Sequence, residues 1–175
     1  MNWQIDELIV KAVFPQVAGT RVRDVAVRDG IVRITAVTVC ESASCPRCGA
    51  CSSQLHGGYE RRLRDLPVGG HPVEIRLVAR RLVCANPDCR RRTFAAQVDG
   101  LTCRYGRLSL PLQQMLSAIA VFLAGRPGAR LAGQLAAAAS RSTLLRLLEG
   151  VPPNSPSCTP SPMASAATTT RCEPG

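Results

Sequence analysis

Lysine is almost missing from this chain: Lys11 is the sole one, against a Lys+Arg total of 22. The positive charge is therefore carried by arginine, whose planar fork donates two parallel hydrogen bonds to a phosphate or a guanine edge. A GC-rich gene would also favour arginine over lysine, but such bias does not explain a formal net charge of +10, which favours a polyanionic partner. Aromatic residues are scarce as well, with one Trp, two Tyr and three Phe. A core must then be built from Val, Leu, Ile and Ala, and the stacking platforms by which many proteins hold single strands are largely excluded. No apolar run reaches the roughly 18 residues of a membrane span. The nearest, Met115 to Ala124, is too short and follows Gln113 and Gln114. No secretory leader is expected, since Asp6 and Glu7 stand where a basic stretch should lead into an apolar one. Carboxylates run out early: after Asp99 come only Glu149 and Glu173.

What the chain does have is cysteine, nine in all. In a secreted protein these would suggest a disulfide framework; in the reducing cytoplasm expected here, paired cysteines read better as metal ligands. Two close pairs stand out, Cys45-Pro46-Arg47-Cys48-Gly49 and Cys84-Ala85-Asn86-Pro87-Asp88-Cys89, the second followed by Arg90-Arg91-Arg92. Each pair can present two thiolates from one side of a tight turn, which is what a structural zinc ion needs. The expected ligands of Zn2+ are Cys45, Cys48, Cys84 and Cys89, a closed set that leaves no position for substrate. Cys40, Cys51, His56 and His71 compete for a place in it. The plain alternative is four buried free thiols, because the stretch between the pairs, Gly49 to Val83, is long for a compact zinc site.

Along the chain, Ile5, Leu8, Ile9, Ala12 and Val13 form one apolar stripe of a short helix that Pro15 stops. Val25, Val27, Val32 and Ile34 flank Asp29-Gly30, a dipeptide suited to a two-residue hairpin turn, with Val27 facing Val32 and Val25 facing Ile34. Tyr59 to Leu66 and Val73 to Val83 read as strands about the turn Pro67-Val68-Gly69-Gly70. From Leu108 the period becomes helical through Leu112, Met115, Leu116, Ile119, Phe122 and Leu123, until Gly125 and Pro127-Gly128 end it. A short helix over Ala129 to Ala137 follows, and then one capped by Ser140 that carries Leu144, Leu145, Leu147 and Leu148. Beyond Gly150 the Pro, Ser, Thr and Ala composition cannot repay its ordering entropy. The expected class is α+β: an N-terminal helix and β-hairpin (1–40), a β-rich zinc ribbon (41–100), a helical helix-turn-helix-like region (101–150) and a disordered C-terminal tail (151–175).

Arg61, Arg62, Arg64, Arg80, Arg81, Arg90, Arg91 and Arg92 gather around the predicted ribbon as a phosphate-tracking surface, although any one of them could equally be a solvated charge. In the helical region Arg141, Ser142, Thr143 and Arg146 would open a recognition helix facing a major groove; a plain helical hairpin explains the leucines equally well. An enzyme using Cys51 or His56 as nucleophile or base lacks a supporting constellation.

The order Cys45-Pro46-x-Cys48-Gly49, His56-x-x-Tyr59-x-Arg61-x-Leu63-x-Asp65-Leu66-Pro67, Gly70, Val73, Arg80-Arg81-x-x-Cys84-x-Asn86-x-x-Cys89 and Thr93-Phe94 resembles the amino-terminal zinc finger of ISL-three insertion-sequence transposases. Gly125-Arg126-x-Gly128-Ala129-Arg130-Leu131, continuing to Ser140-x-x-Thr143-Leu144-Leu145-Arg146, is similar to the helix-turn-helix that follows it there. The resemblance implies a front end that binds the terminal inverted repeats of a mobile element as double-stranded DNA, cytoplasmic and nucleoid-associated in a bacterium, alone, as a homo-oligomer or beside a full-length transposase. In that family an RNase-H-like domain with three acidic residues comes next. The few carboxylates after Asp99 cannot supply such a triad, so the chain is expected to be catalytically inert and its gene truncated or frameshifted near Gly150. The other expectation is a zinc-ribbon adaptor or regulator that binds protein or RNA.

Overall fold

A computed structural model describes residues 7–123 and 125–149; the predicted disordered tail lies outside the described residues. The chain opens with helix α1 (Glu7–Val13) and a 3-10 turn over Pro15–Val17. The face it buries is Val10, Phe14 and Val17, whereas Leu8, Ile9 and Val13 of the predicted stripe are exposed. Phe14 is the bulkiest apolar side chain of this segment and sits one turn beyond Val10, so the inward face is set by the chain continuing past the helix end into the Pro15 turn.

Strands β1 (Thr20–Arg28) and β2 (Ile31–Thr38) form the predicted hairpin, with Val27 opposite Val32 and Val25 opposite Ile34. Asp29 and Gly30 both take positive φ, 54° and 72°, as a type I′ turn requires. Val32, Ile34 and Ala36 are buried, while Val27 at the sheet edge is exposed. Two-residue strands β3 (Ala43–Ser44) and β4 (Cys51–Ser52) pair with each other apart from the main sheet. Strands β5 (Leu55–Val68) and β6 (His71–Val83) form a long antiparallel hairpin, and β7 (Thr93–Ala95) pairs with the end of β6. Both strands exceed their predicted spans, because the turn is only Gly69-Gly70, each at positive φ, and Pro67 and Val68 stay in β5.

The main sheet has the order β1-β2-β6-β5. Its β2–β6 pairing is parallel, Val32 beside Val73 through Val37 beside Val78, so the N-terminal hairpin and the long hairpin share one sheet. Alternation on β6 sends Val73, Ile75 and Leu77 into a core with Ile34, Ala36 and Leu63, closed over by Val10, Phe14, Val17, Val98 and Leu101. Glu74 and Arg76 point to the wet face, where Arg76 Nε lies 3.1 Å from Glu74.

The helical block consists of α2 (Leu110–Leu123), α3 (Gly125–Gln134) and α4 (Arg141–Glu149) around a second core of Leu112, Leu116, Ile119, Ala120, Ala132, Ala137 and Leu144. Helix α3 begins at Gly125, earlier than the predicted Ala129, and ends at Gln134, short of Ala137. Pro127 fits a first helical turn, where its missing N–H has no intrahelical acceptor to lose. Ala136 at φ 56° ends the local helical path. Phe122, expected on the inner stripe of α2, is 84% exposed, because Leu112, Leu116, Ile119 and Ala120 define the buried face. Ser140 caps α4 as expected, its Oγ accepting the Thr143 amide at 3.2 Å.

Candidate metal centre and arginine groove

The first cysteine pair sits on the knuckle between β3 and β4. There Cys45 N donates to Ala50 O at 2.8 Å and Gly49 N to Cys45 O at 2.9 Å, with Gly49 at φ 75° reversing the chain. The second sits between β6 and β7. Cys84 N donates to Arg92 O at 2.8 Å, and the Asp88 amide donates to Asn86 Oδ1 at 2.8 Å, an Asx-turn that folds Cys89 back toward Cys84. The long stretch between the pairs is thus the outward and return path of the β5–β6 hairpin, and Val83 N to Gln54 O at 2.9 Å ties its open end beside the first knuckle.

These turns bring the Sγ atoms of Cys45, Cys48, Cys84 and Cys89 within 4.8 Å of one another, and Cys48 Sγ lies 3.5 Å from Cys84 Sγ. A tetrahedron of sulfurs around zinc at ~2.3 Å has edges of about 3.8 Å, so the donor set fits the ion. Cys45 and Cys89 are buried against Leu82 and Phe94, Cys84 is half-buried and Cys48 is exposed. Burial pushes the Cys45 thiol up, but the backbone amides of Arg47 and Cys48 and hydrogen bonds from Cys84 and Cys48 outweigh it and bring it from 9.0 to about 6. Burial pushes Cys84 up to about 12; the Asn86 amide opposes this, while bonds donated to Cys48, Cys45 and Cys89 add to it. A dication bound among these sulfurs would displace the thiol protons that remain on them. The four side chains form a structural Zn2+ site that, as a closed set of four thiolates, would leave no open coordination position.

The competing residues lie elsewhere. Cys40 and Cys51 are half-buried outside the quartet, and burial raises the Cys40 thiol. His56 is exposed, and His71 Nδ1 lies 3.0 Å from Gly30 O at the far end of the sheet.

Beside the zinc knuckles runs an open groove of about 1690 Å³ whose walls carry Arg61, Arg81, Arg90, Arg91, Arg92 and Arg104 against one carboxylate, Asp99. Five of these six arginines belong to the cluster expected around the ribbon; Arg104 is the addition. No local signal marks it, since it enters the groove on the 96–109 segment only because that segment folds back on β5. Arg61 makes that fold: its Nη2 donates to the carbonyls of Cys103 and Gly106, the latter at 2.7 Å. Arg64 N to Arg107 O at 2.9 Å and Ser109 N to Arg64 O at 2.8 Å continue the attachment.

The other named arginines are placed differently. Arg80 is half-buried and donates to Cys40 O at 3.2 Å; Arg64 Nη2 donates to Ala138 O, joining sheet to helical block. Arg62 pairs with Glu60 at 3.4 Å on the exposed edge strand. Arg141, Ser142 and Arg146 are exposed at the start of α4 and Thr143 is half-buried, none of them lining the groove. The Ser140 hydroxyl lies 3.0 Å from that of Ser142 and 2.9 Å from that of Thr143, and Arg146 Nε donates to Ser142 O at 3.4 Å.

A closed thiolate quartet on two β-knuckles defines a zinc finger. Residues 41–89 match a family model described as the zinc-finger of transposase IS204/IS1001/IS1096/IS1165, which supports an ISL-three-type amino-terminal region for this part of the chain. Neither curated proteins nor solved structures give a match. Among the described residues no helix is long and apolar enough to cross a membrane.

Proposed function

We propose that this chain is the DNA-binding front part of a transposase, recognising the terminal inverted repeats of a mobile element and carrying no strand-transfer chemistry of its own. The observation that carries the proposal is the groove of six arginines and one carboxylate beside the zinc knuckles. Zinc fixes the two knuckles, the second knuckle delivers Arg90, Arg91 and Arg92 directly after its last ligand, and the guanidinium groups line a path for a phosphate backbone. Helix α4, with Arg141, Ser142, Thr143 and Arg146 in its first turns, would supply base contacts in a major groove. Arg64 and Arg80 brace the fold in this proposal, through Ala138 and Cys40. Self-association or pairing with a full-length transposase would place this surface on both ends of the element.

Gel-shift titration at stepped salt tests the proposal. A steep fall in affinity with salt and preference for an inverted-repeat end over random duplex are expected. Absence of binding at low salt would refute it and favour an adaptor role toward protein or RNA.

A further inference from the structure

We propose that Tyr105 and Tyr59 form a base-stacking station at the head of the arginine groove, so that the preferred DNA carries an unpaired or frayed base next to its duplex; this rests on the DNA-binding function proposed above. The chain has two tyrosines, and both line the large groove as well as a smaller one of about 430 Å³ that adjoins it through Arg61. Tyr105 is 83% exposed and Tyr59 is 41% exposed.

Tyr105 is held out by construction. Its φ is 62°, a left-handed conformation that is unfavourable for a bulky side chain and persists only where the surroundings impose it. Arg61 imposes it by clamping the carbonyls on either side, Cys103 and Gly106, while Gly106 N donates to Cys103 O at 3.1 Å. Burial does not compensate the strain, because the ring remains in solvent. The Arg104 guanidinium lies over the ring, 4.7 Å from its centroid, and donates to the phenol oxygen at 2.8 Å, fixing the plane of the ring. A rigid, solvent-facing aromatic plane beside cationic side chains is the arrangement that stacks a nucleobase while its phosphates are neutralised. Within a duplex both faces of each internal base are already stacked, so the base that can use this plane is an unpaired one.

The test uses the full zinc-loaded chain and fluorescence anisotropy on two probes of one sequence, a blunt duplex and the same duplex with two terminal nucleotides unpaired and 2-aminopurine at the first unpaired position. The wild type should bind the unpaired probe at least about fivefold more tightly and quench its fluorescence. Tyr105→Ala should remove both the preference and the quenching, and Tyr105→Phe should keep them; unchanged zinc content and thermal midpoint establish that the variants are folded. Salt-dependent binding of both probes with equal affinity, or a preference that survives Tyr105→Ala, overturns the stacking station and leaves the DNA-binding function standing. Failure to bind either probe overturns both.

Discussion

The Asp65 carboxylate accepts a hydrogen bond from the Ser109 hydroxyl, and through this contact the edge strand of the sheet helps fix the start of the first helix of the helical block. Asp65 is 2% exposed, and its second oxygen accepts from Gln16 Nε2 of the N-terminal 3-10 turn. Ser109 Oγ in turn accepts the Leu112 amide at 3.2 Å, capping α2. A single buried carboxylate therefore joins the N-terminal segment, β5 and the helical block, and both of its partners donate hydrogen bonds to it.

Asp65→Ala should lower stability by about 2 kcal/mol, the range for leaving buried hydrogen-bonding groups without their partner. Urea unfolding checks this by a lower midpoint at unchanged slope. A midpoint equal to wild type would show that the three segments are held without this carboxylate.

Zinc should be present in stoichiometric amount, and Cys84→Ser should abolish it together with the fold of the two knuckles. Cys40→Ser, outside the quartet, should retain the metal. Elemental analysis and a thermal melt with and without chelator read both outcomes. Because the ion displaces thiol protons, its apparent affinity should rise with pH, and a pH-independent affinity would contradict thiolate ligation.

Gly128 is buried where α3 crosses its neighbours, and a Cβ there would lie 3.1 Å from Leu144 Cδ1 and 3.3 Å from Ile119 Cγ2. Gly128→Val should therefore overpack the helical block at a cost of about 1–3 kcal/mol. Loss of hydrogen-exchange protection confined to α2, α3 and α4, with β2 and β6 unaffected, is the expected pattern. Equal loss in the sheet would mean that the two cores unfold as one unit.

What was legible in the sequence was local. Asp29-Gly30 set the first hairpin and its register down to Val25 beside Ile34, because turn chemistry and alternation act within a few residues. The cysteine pairs announced their ligands because each knuckle is self-contained. The parallel pairing of β2 with β6 left no trace, since Val32 and Val73 are joined only by what lies between them in space. Gly125 and Pro127 read as a helix end although both stand in the first turn of α3, where the same residue types are tolerated. Arg61 and Arg64 read as solvated charges or phosphate contacts, yet their guanidinium groups attach distant segments through Cys103, Gly106 and Ala138, a role that follows only from tertiary structure.

That division of arginines gives the sharpest test of the groove. Arg90 is exposed and Arg91 shares its wall, whereas the Arg92 guanidinium donates to Pro87 O at 2.8 Å and the Arg64 guanidinium is engaged by the Ala138 carbonyl. The double variant Arg90→Ala, Arg91→Ala should weaken binding to all duplex sequences alike and reduce the slope of log affinity against log salt by about 0.9 for each phosphate contact removed. Arg64→Ala should lower the unfolding midpoint and leave that slope unchanged, because its charge joins sheet to helices. Both variants are read in the same titration, and the slopes decide. If Arg64→Ala alone shortens the slope, the DNA path runs along the wet face of the sheet, past Arg62 and Arg76, and not through the groove beside the zinc.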